Sequence, residues 1–168
     1  MGKLSLGLFL SIFYLVGFGM LGYSISSAQK SIQAAQWPST MGTLSNVSLR
    51  EKSDSDGSTY EVRVEYSYSV MGQTYTSSRL AFGYTASSGK KQHQEVLQKL
   101  QNASIINVRY NPKNPATSVL SFGIHRSIKL LFTFAITWLS FVIGITLIMW
   151  IASQSDRTLL DNMDVIVR

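Results

Sequence analysis

Two long apolar runs bracket about a hundred residues of polar sequence, and they limit what this chain can fold into. The first, Leu4–Ile25, has 22 residues, the second, Leu130–Ile151, is equally long, and neither contains a charged side chain. As a helix, each run would be about 33 Å long, against a hydrocarbon core of about 30 Å. A 168-residue chain has little other sequence with which to cover two such helices. The pattern therefore predicts two transmembrane helices rather than the buried helical hairpin of a soluble protein.

The first run has a second interpretation, as a cleaved signal peptide. Lys3 precedes it, and Ser26-Ser27-Ala28 follows it with the small residues of a cleavage site. The apolar core of a signal peptide has about 7 to 15 residues, and this run is longer. The sequence therefore favours a retained membrane anchor.

The layout predicts one small domain between the two spans. The predicted segments are a tail over residues 1–3, a span over 4–25, a helical extension or linker over 26–36, a β-rich domain over 37–122, a linker over 123–129, a span over 130–151 and a polar tail over 152–168. The predicted fold class is a membrane protein of the α+β type. Two transmembrane helices flank a small, mostly antiparallel β domain that carries one amphipathic helix.

The charges of the chain are concentrated in the segment between the two runs. The net charge is +6, and residues 26–129 hold twelve of the fifteen Lys and Arg with six of the nine acids, so this segment carries all of it. Beside a membrane, a basic domain favours anionic lipid headgroups or envelope polymers as partners over nucleic acid. A solvated surface with a mild excess of positive charge is the simpler alternative.

The orientation depends on few charges. The short N-terminus carries Lys3, which favours both termini in the cytoplasm and the domain on the extracytoplasmic side. Lys30, Arg126 and Lys129 on the domain side argue for the reverse. The positive-inside rule, however, loses force for loops longer than about 60 residues. We therefore expect a two-span, multi-pass membrane protein with an extracytoplasmic domain.

The first half of the domain shows the pattern of β-strands. Apolar and polar residues alternate without a break over Tyr60–Val70, which predicts a strand with one buried and one solvated face. Met71-Gly72 predicts a turn, and Gln73–Phe82 predicts a second long strand that completes a hairpin. An earlier strand is predicted over Thr43–Arg50, with a slip in the alternation after Leu44.

The remaining segments of the domain predict a loop, a helix and further strands. Glu51–Thr59 is charged and rich in serine and predicts a loop. Ser87–Gln101 has helical period, and an amphipathic helix that lies on the sheet is predicted from its apolar face, His93, Val96, Leu97 and Leu100. Ile105–Tyr110 predicts a strand, residues 111–115 a turn, and Ser118–Leu120 a last short strand.

Several short motifs, in this order and spacing, resemble a known membrane family. They are Trp37, Gly42-Thr43, Tyr66-Ser67-Tyr68-Ser69-Val70-Met71-Gly72, Tyr75, Val108-Arg109-Tyr110-Asn111-Pro112, Asn114-Pro115 and Val119-Leu120. The family is catalogued as domain of unknown function 3592, and the resemblance runs from Trp37 to the second span. It implies a small, mostly β domain between two transmembrane helices. It implies no established activity, ligand or catalytic residue.

The sequence contains few groups that could carry chemistry. It has no cysteine, and Ser/His/Asp and glycine-rich phosphate motifs are absent, so we expect no enzyme and no cofactor. The two histidines, His93 and His125, are interpreted as a partly exposed helix residue and an interfacial residue, and no metal is predicted. Asp54-Ser55-Asp56-Gly57 lacks the further ligands of a calcium loop and is interpreted as a solvated loop.

Two sets of residues are candidates for contacts. A surface binding site is predicted from Tyr75, Tyr84, Lys90 and Lys91, because tyrosine offers contact area with a polar tip and the lysines form the only adjacent basic pair. Close packing of the two spans is predicted from small residues four apart, Gly7 with Ser11 and Ser140 with Gly144.

These observations predict a membrane-anchored, non-catalytic interaction or scaffold module. Its expected partners are the lipid bilayer and other membrane or envelope proteins, with no nucleic acid and no identified small molecule. The alternative is that the basic domain binds anionic lipid headgroups or envelope polymers. An enzyme with a site built from Tyr, Arg and Glu is a third hypothesis, and a deep pocket with converging polar groups would favour it.

Overall fold

The structure is a computed structural model that describes residues 3–163, with side chains from residue 7 onward. The elements in chain order are α1 (Lys3–Ala34), β1 (Ser39–Asp54), β2 (Gly57–Val70), β3 (Gln73–Ser77), α2 (Lys90–Gln101), β4 (Ile106–Asn111), β5 (Asn114–Val119), α3 (Arg126–Ala152) and α4 (Arg157–Asp161). The five strands form one antiparallel sheet in the order β3-β2-β1-β4-β5. Two long apolar helices flanking an antiparallel sheet confirm the predicted α+β arrangement.

The core lies on one face of this sheet, and β2 supplies most of it. The predicted alternation is confirmed, because the even-numbered residues of β2 from 60 to 70 are buried while the intervening positions are exposed or partly exposed. The core residues are Val62, Val64, Tyr66, Tyr68, Val70, Leu80, Ile106 and Val108. The apolar face of α2 covers them through Val96, Leu97 and Leu100, so the prediction of an amphipathic helix on the sheet is also confirmed.

The β1–β2 hairpin is longer than predicted. Residues 51–59, predicted as a loop, are two paired strand ends joined at Ser55-Asp56, where Gly57 has a φ of 125°. The prediction failed because this part of the hairpin is solvated on both faces and so has no alternation. The slip after Leu44 has a structural cause, because the β1–β2 register shifts between Leu44 and Asn46. A β-bulge of this kind bends a strand locally.

The second strand of the next hairpin is shorter than predicted. Met71 and Gly72 form the turn with φ values of 51° and 81°, but β3 ends at Ser77 rather than continuing to Phe82. The chain then leaves the sheet, because Leu80 and Ala81 turn into the core. There the carbonyl oxygen of Leu80 accepts hydrogen bonds from the backbone N–H groups of residues 120 and 121, at 3.0 and 2.8 Å.

The two long helices pack antiparallel through one tight contact. A Cβ built on Gly17 would lie 2.5 Å from Leu139 Cδ2 and 3.0 Å from Trp138 Cδ1, so a larger residue there requires the Leu139 side chain to move. Near this contact, Trp138 Nε1 donates to the Phe13 carbonyl at 3.0 Å, and the hydroxyls of Tyr14 and Thr146 lie 2.9 Å apart.

The residues predicted to make the helix contact lie elsewhere. A Cβ on Gly7 or on Gly144 would meet nothing within 4 Å. Ser11 and Ser140 are exposed, and the Ser11 hydroxyl donates to the Leu8 carbonyl of its own helix. Small residues permit a close approach of two helices, but their size does not determine which of them face the partner helix. In this helix pair, the small residue at the contact is Gly17.

Both long helices present apolar side chains outward. Leu15 is 71% exposed and Ile148 is 68% exposed, and many of their neighbours are similar. By length and composition, α1 and α3 can cross a membrane. The helix α1 continues without interruption to Ala34, so its last turns extend from the apolar run to the sheet.

Candidate functional site

The segment between β3 and α2, residues 78–89, separates two cavities. A polar cavity of about 850 Å³ lies on the side of α1 and the edge of β2. An apolar cavity of about 550 Å³ lies on the side of α2 and the start of α3. Tyr84, which belongs to this segment, lines both cavities.

Tyr84 is fixed by a chain of short hydrogen bonds. Its hydroxyl accepts from the Val62 N–H at 3.0 Å and lies 2.7 Å from His93 Nδ1. The other ring nitrogen of His93 lies 2.9 Å from Ser87 Oγ. Ser87 is in turn anchored to the sheet, because its backbone exchanges two hydrogen bonds with Tyr60. Three separate parts of the fold, namely β2, the segment 78–89 and α2, therefore meet at one histidine that is only 5% exposed.

The pairing of these groups determines the position of the histidine proton. The Tyr84 oxygen already accepts from Val62, so its own proton is donated to His93 Nδ1, since the reverse orientation leaves a half-buried phenol proton without an acceptor. Nε2 then carries the ring proton and donates to Ser87 Oγ. A serine nucleophile needs an unprotonated nitrogen facing its hydroxyl. The arrangement therefore gives Ser87 no general base and fixes the segment in place.

The protonation states agree with this arrangement. Desolvation lowers the pKa of His93 below its ordinary value, with Glu61 opposing and Arg126 adding to the change. Burial likewise raises the pKa of the Tyr84 phenol. At neutral pH, His93 is therefore neutral and Tyr84 is protonated, as the hydrogen bonds require.

One interpretation of the sequence is wrong at this site. His93 was predicted to be partly exposed on a helix face, but it is buried and both of its ring nitrogens have partners within the chain. Tyr84 was predicted as a surface binding residue; it is half-buried, its hydroxyl is held in this network, and its binding role stays a prediction. Periodicity places His93 on the inner face of α2 without saying what it meets there. Its partners lie in a segment with no periodic pattern.

The second histidine is at the start of α3. His125 is the N-cap residue of that helix, and its Nε2 lies 2.7 Å from the Phe82 carbonyl oxygen. Its ring lies 6.4 Å from the ring of Tyr84, on which the His93 ring also packs at 5.6 Å. Within the described residues, no group of His, Asp and Glu is arranged to hold a metal ion.

The polar cavity exposes an uncovered edge of β2. The strand β3 pairs with β2 only from Tyr66 to Val70, and Ser87 forms a single bridge at Tyr60. Between them, no strand of residues 3–163 pairs with the outer side of β2 at residues 61–65, and all five of these residues line the polar cavity. We call residues 61–65 the open edge. Its length is about 17 Å at 3.3 Å per residue.

The charges around the open edge are mixed, with an excess of positive charge. The cavity is lined by Lys30 of α1, by Arg63 and Arg79, and by Glu61 and Glu65. Glu61 lies 3.6 Å from Arg63 Nε and is partly neutralised by it. Arg79 is exposed, and its guanidinium lies 5.0 Å from the centre of the Phe82 ring.

The apolar cavity lies between α2, the sheet and the start of α3. Its apolar wall comes from Val96, Leu100, Ile106, Leu120 and Leu130. Lys99 and Arg126 are the charged residues of its lining. With the Gln92 amide oriented to donate to the Gly89 carbonyl, its oxygen accepts from Arg126 Nη1 at 3.1 Å. Arg126 is therefore held at this cavity by α2.

The other predicted surface residues do not line either cavity. Lys90 lies at the start of α2 with its Nζ 5.1 Å from the centre of the Tyr60 ring, and Lys91 is exposed beside it. Tyr75 lies on β3, where its ring stacks on Tyr68 at 5.8 Å. The sequence drew attention to Lys90-Lys91 because they are adjacent, whereas the structure brings Lys99 and Arg126 to one cavity from two helices.

The motifs that carried the family resemblance have structural roles in this domain. Arg109 Nη1 donates to the carbonyls of Ala35 and Trp37, both at 2.8 Å, and so fixes the end of α1 to β4. A Cβ on Gly42 would lie 2.7 Å from Val108 Cγ2 and 2.8 Å from a backbone oxygen of β2. The close packing of β1 against β2 and β4 at this point therefore favours glycine.

A family model described as a domain of unknown function (DUF3592) matches residues 40–125, just over half of the chain. The chain belongs to this family. The DUF3592 match covers the sheet, α2 and the segment between the two cavities, and neither α1 nor α3 lies within it. Comparison with curated proteins and with solved structures finds no match.

Proposed function

We propose that this DUF3592 protein is a two-span membrane protein whose domain binds an extended segment of a partner protein at the open edge of β2. The membrane location is supported by the outward-facing apolar surface of α1 and α3, which no other part of the described chain covers. A soluble monomer rarely exposes so much contiguous apolar surface. The binding role is carried by one observation, the uncovered edge at residues 61–65.

The open edge has the chemistry that a strand partner needs. Tyr60 and Val62 direct backbone groups outward, but the N–H and C=O of Tyr60 are already bonded to Ser87 and the Val62 N–H to the Tyr84 hydroxyl. By the alternation of an antiparallel ladder, Val64 directs its backbone groups outward as well, so the Val62 C=O and both groups of Val64 are left for a partner strand. Natural sheets cover or blunt such edges. Addition of a short strand from another chain would complete the ladder between Ser77 and Ser87.

The surrounding charges define the kind of segment that fits. Lys30 and Arg79 line the cavity, and neither forms an ion pair among the described residues. Of the two acids in the lining, Glu61 pairs with Arg63 and Glu65 does not. We therefore propose an extended segment of three to five residues that carries an acidic side chain. With both termini in the cytoplasm and the domain outside, its source is another membrane or envelope protein, and the chain acts without catalysis as a module of a larger complex.

Site-specific photo-crosslinking in cells tests this proposal. A photoreactive amino acid at Ser78, which lines the polar cavity, should crosslink to one reproducible partner peptide. The same residue at the exposed Thr74 of β3 is the matched control and should not capture that peptide. The charge reversal Arg79→Glu should reduce the Ser78 crosslink, whereas Lys113→Glu in the β4–β5 turn should leave it unchanged. If Ser78 captures nothing that Thr74 does not, the open edge is not a binding site.

A second candidate is attraction of the domain to anionic lipid headgroups. Lys30, Arg126 and Lys129 lie where α1 and α3 join the domain, and each basic residue near an anionic leaflet adds about 1 kcal/mol of attraction. The full chain, purified in a mild detergent and analysed for bound lipid, should then be enriched in phosphatidylglycerol over phosphatidylethanolamine. The enrichment should fall in 0.5 M salt, since a Debye length near 4 Å screens such contacts. Equal proportions of the two lipids would exclude this candidate.

A further inference from the structure

We infer that the apolar cavity between α2 and α3 binds one acyl chain of an anionic lipid, with the lipid headgroup held by Arg126 and Lys99. The inference rests on the proposed membrane location of α3. It goes beyond attraction to headgroups, because it assigns the lipid to a built site in the domain.

The size and lining of the cavity suit an acyl chain. Its volume of about 550 Å³ lies within the range of about 300–1,000 Å³ typical of small-molecule sites. Aliphatic side chains from α2, β4, the segment after β5 and α3 form the wall. An apolar space of this kind favours an apolar occupant, since water inside it would find few hydrogen-bond partners.

The charges at the cavity select the headgroup. Lys99 and Arg126 both line it, and its lining contains no Asp or Glu. The contact with Gln92 orients the Arg126 guanidinium, which is the side chain best suited to bind a phosphate through two donors. His125 adds a further polar side chain to the same lining.

A groove on α3 connects the cavity to the apolar part of that helix. The groove is lined by Ser127, Leu130, Leu131, Phe134 and Thr137, among others. It shares Ser87, Ser127 and Leu130 with the apolar cavity, so the two spaces adjoin at the first turns of α3. If α3 crosses the bilayer, a lipid chain that lies along this groove reaches the cavity past Leu130, which lines both spaces. This continuity is what favours a membrane lipid over a ligand from solution.

Photoactivatable lipids test the inference on the full chain in nanodiscs of phosphatidylcholine. Phosphatidylglycerol with a diazirine on its acyl chain is the probe, and phosphatidylcholine with the same labelled chain is the control. After illumination, mass spectrometry should locate crosslinks on α2 around Val96 and Leu100 as well as on α3. We expect about tenfold more α2 crosslinking from the anionic probe, the factor that corresponds to one or two contacts with basic residues.

Two pairs of variants separate the cavity from the membrane surface. Val96→Trp places a large side chain in the cavity and should abolish the α2 crosslinks, whereas Gln98→Trp on the exposed face of α2 should keep them. Arg126→Gln should remove the preference for the anionic probe, whereas Lys113→Gln, at an exposed position in the β4–β5 turn and outside the lining, should preserve it. Circular dichroism of each variant shows whether the domain is folded.

The outcomes distinguish this inference from the proposal on which it rests. Crosslinks on α3 without any on α2 would overturn the cavity inference and leave the membrane location intact. An absence of crosslinks on both α1 and α3 would overturn the membrane location itself. Equal α2 crosslinking by both probes, or α2 crosslinks that persist in folded Val96→Trp, would overturn the assignment of an anionic lipid to this cavity.

Discussion

The substitution Tyr84→Phe removes a single oxygen from the centre of the hydrogen-bond network. That oxygen accepts from the Val62 N–H and lies 2.7 Å from His93 Nδ1, so its loss leaves one donor and one acceptor without partners. The ring contacts with His93 and His125 remain, because phenylalanine has the same ring. The measured loss of stability should therefore report on the hydrogen bonds alone.

The size of this loss follows from the burial of the two partners. His93 is 5% exposed and Val62 is 3% exposed. A buried polar group left unsatisfied costs about 1–3 kcal/mol. Water from the polar cavity can relieve part of this cost, since Tyr84 lines that cavity. We expect the free energy of unfolding of the domain to fall by about 2 kcal/mol, a large fraction of the 5–15 kcal/mol typical of a domain.

Denaturant unfolding of the full chain in nanodiscs, followed by tyrosine and tryptophan fluorescence, measures this change. Tyr75→Phe is the matched control, because the Tyr75 hydroxyl binds Gln73 Oε1 on the exposed surface of the same domain. An exposed change of this kind should alter the free energy by less than about 0.5 kcal/mol. If the two variants lose equal stability, the network does not hold the segment, and the derived position of the histidine proton has no energetic support.

Three further results are expected from unfolding measurements on the full chain. The pKa of His93 is lower in the folded chain than in the unfolded chain, so as the pH falls the unfolded chain takes up this proton before the folded chain does. The free energy of unfolding should therefore decrease as the pH drops below about 6.5. His93→Gln should flatten that part of the pH profile. Gly17→Leu should destabilise the helix pair by about 1–3 kcal/mol through overpacking, whereas Gly7→Leu should not. Arg109→Met should cost about 2 kcal/mol, because two backbone carbonyls lose a charged donor.

The sequence predicted those parts of the fold that repeat a local pattern. The strand β2 was predicted because its alternation is uninterrupted, and the turn at Met71-Gly72 because glycine adopts the positive φ that the turn requires. The helix α2 was predicted from its apolar face. The slip after Leu44 was visible as an irregularity, and the β-bulge at that point explains it. Local pattern thus indicated the place of this irregularity as well as the element type.

The sequence did not predict features that depend on contacts between distant segments. The early end of β3 is set by Leu80, which leaves the sheet to meet residues 120 and 121. The partners of His93 lie in the irregular segment before α2, and the charged residues of the apolar cavity, Lys99 and Arg126, come from two helices. Composition predicted the excess of positive charge in this domain but not the cavity that concentrates part of it.

The two proposed sites share one wall, and this has consequences for how they work. Leu80, Ala81 and Tyr84 line both the polar cavity at the open edge and the apolar cavity at α2. A strand added to β2 and an acyl chain beneath α2 would therefore contact opposite sides of the same short segment. The network around His93 fixes that segment to β2 and α2 together. Tyr84→Phe should thus weaken binding at both sites, whereas Val96→Trp should weaken binding only at the lipid site. Crosslinking of the partner peptide and of the lipid probe, measured on both variants, checks this. If Tyr84→Phe weakens only one of the two, the sites are independent.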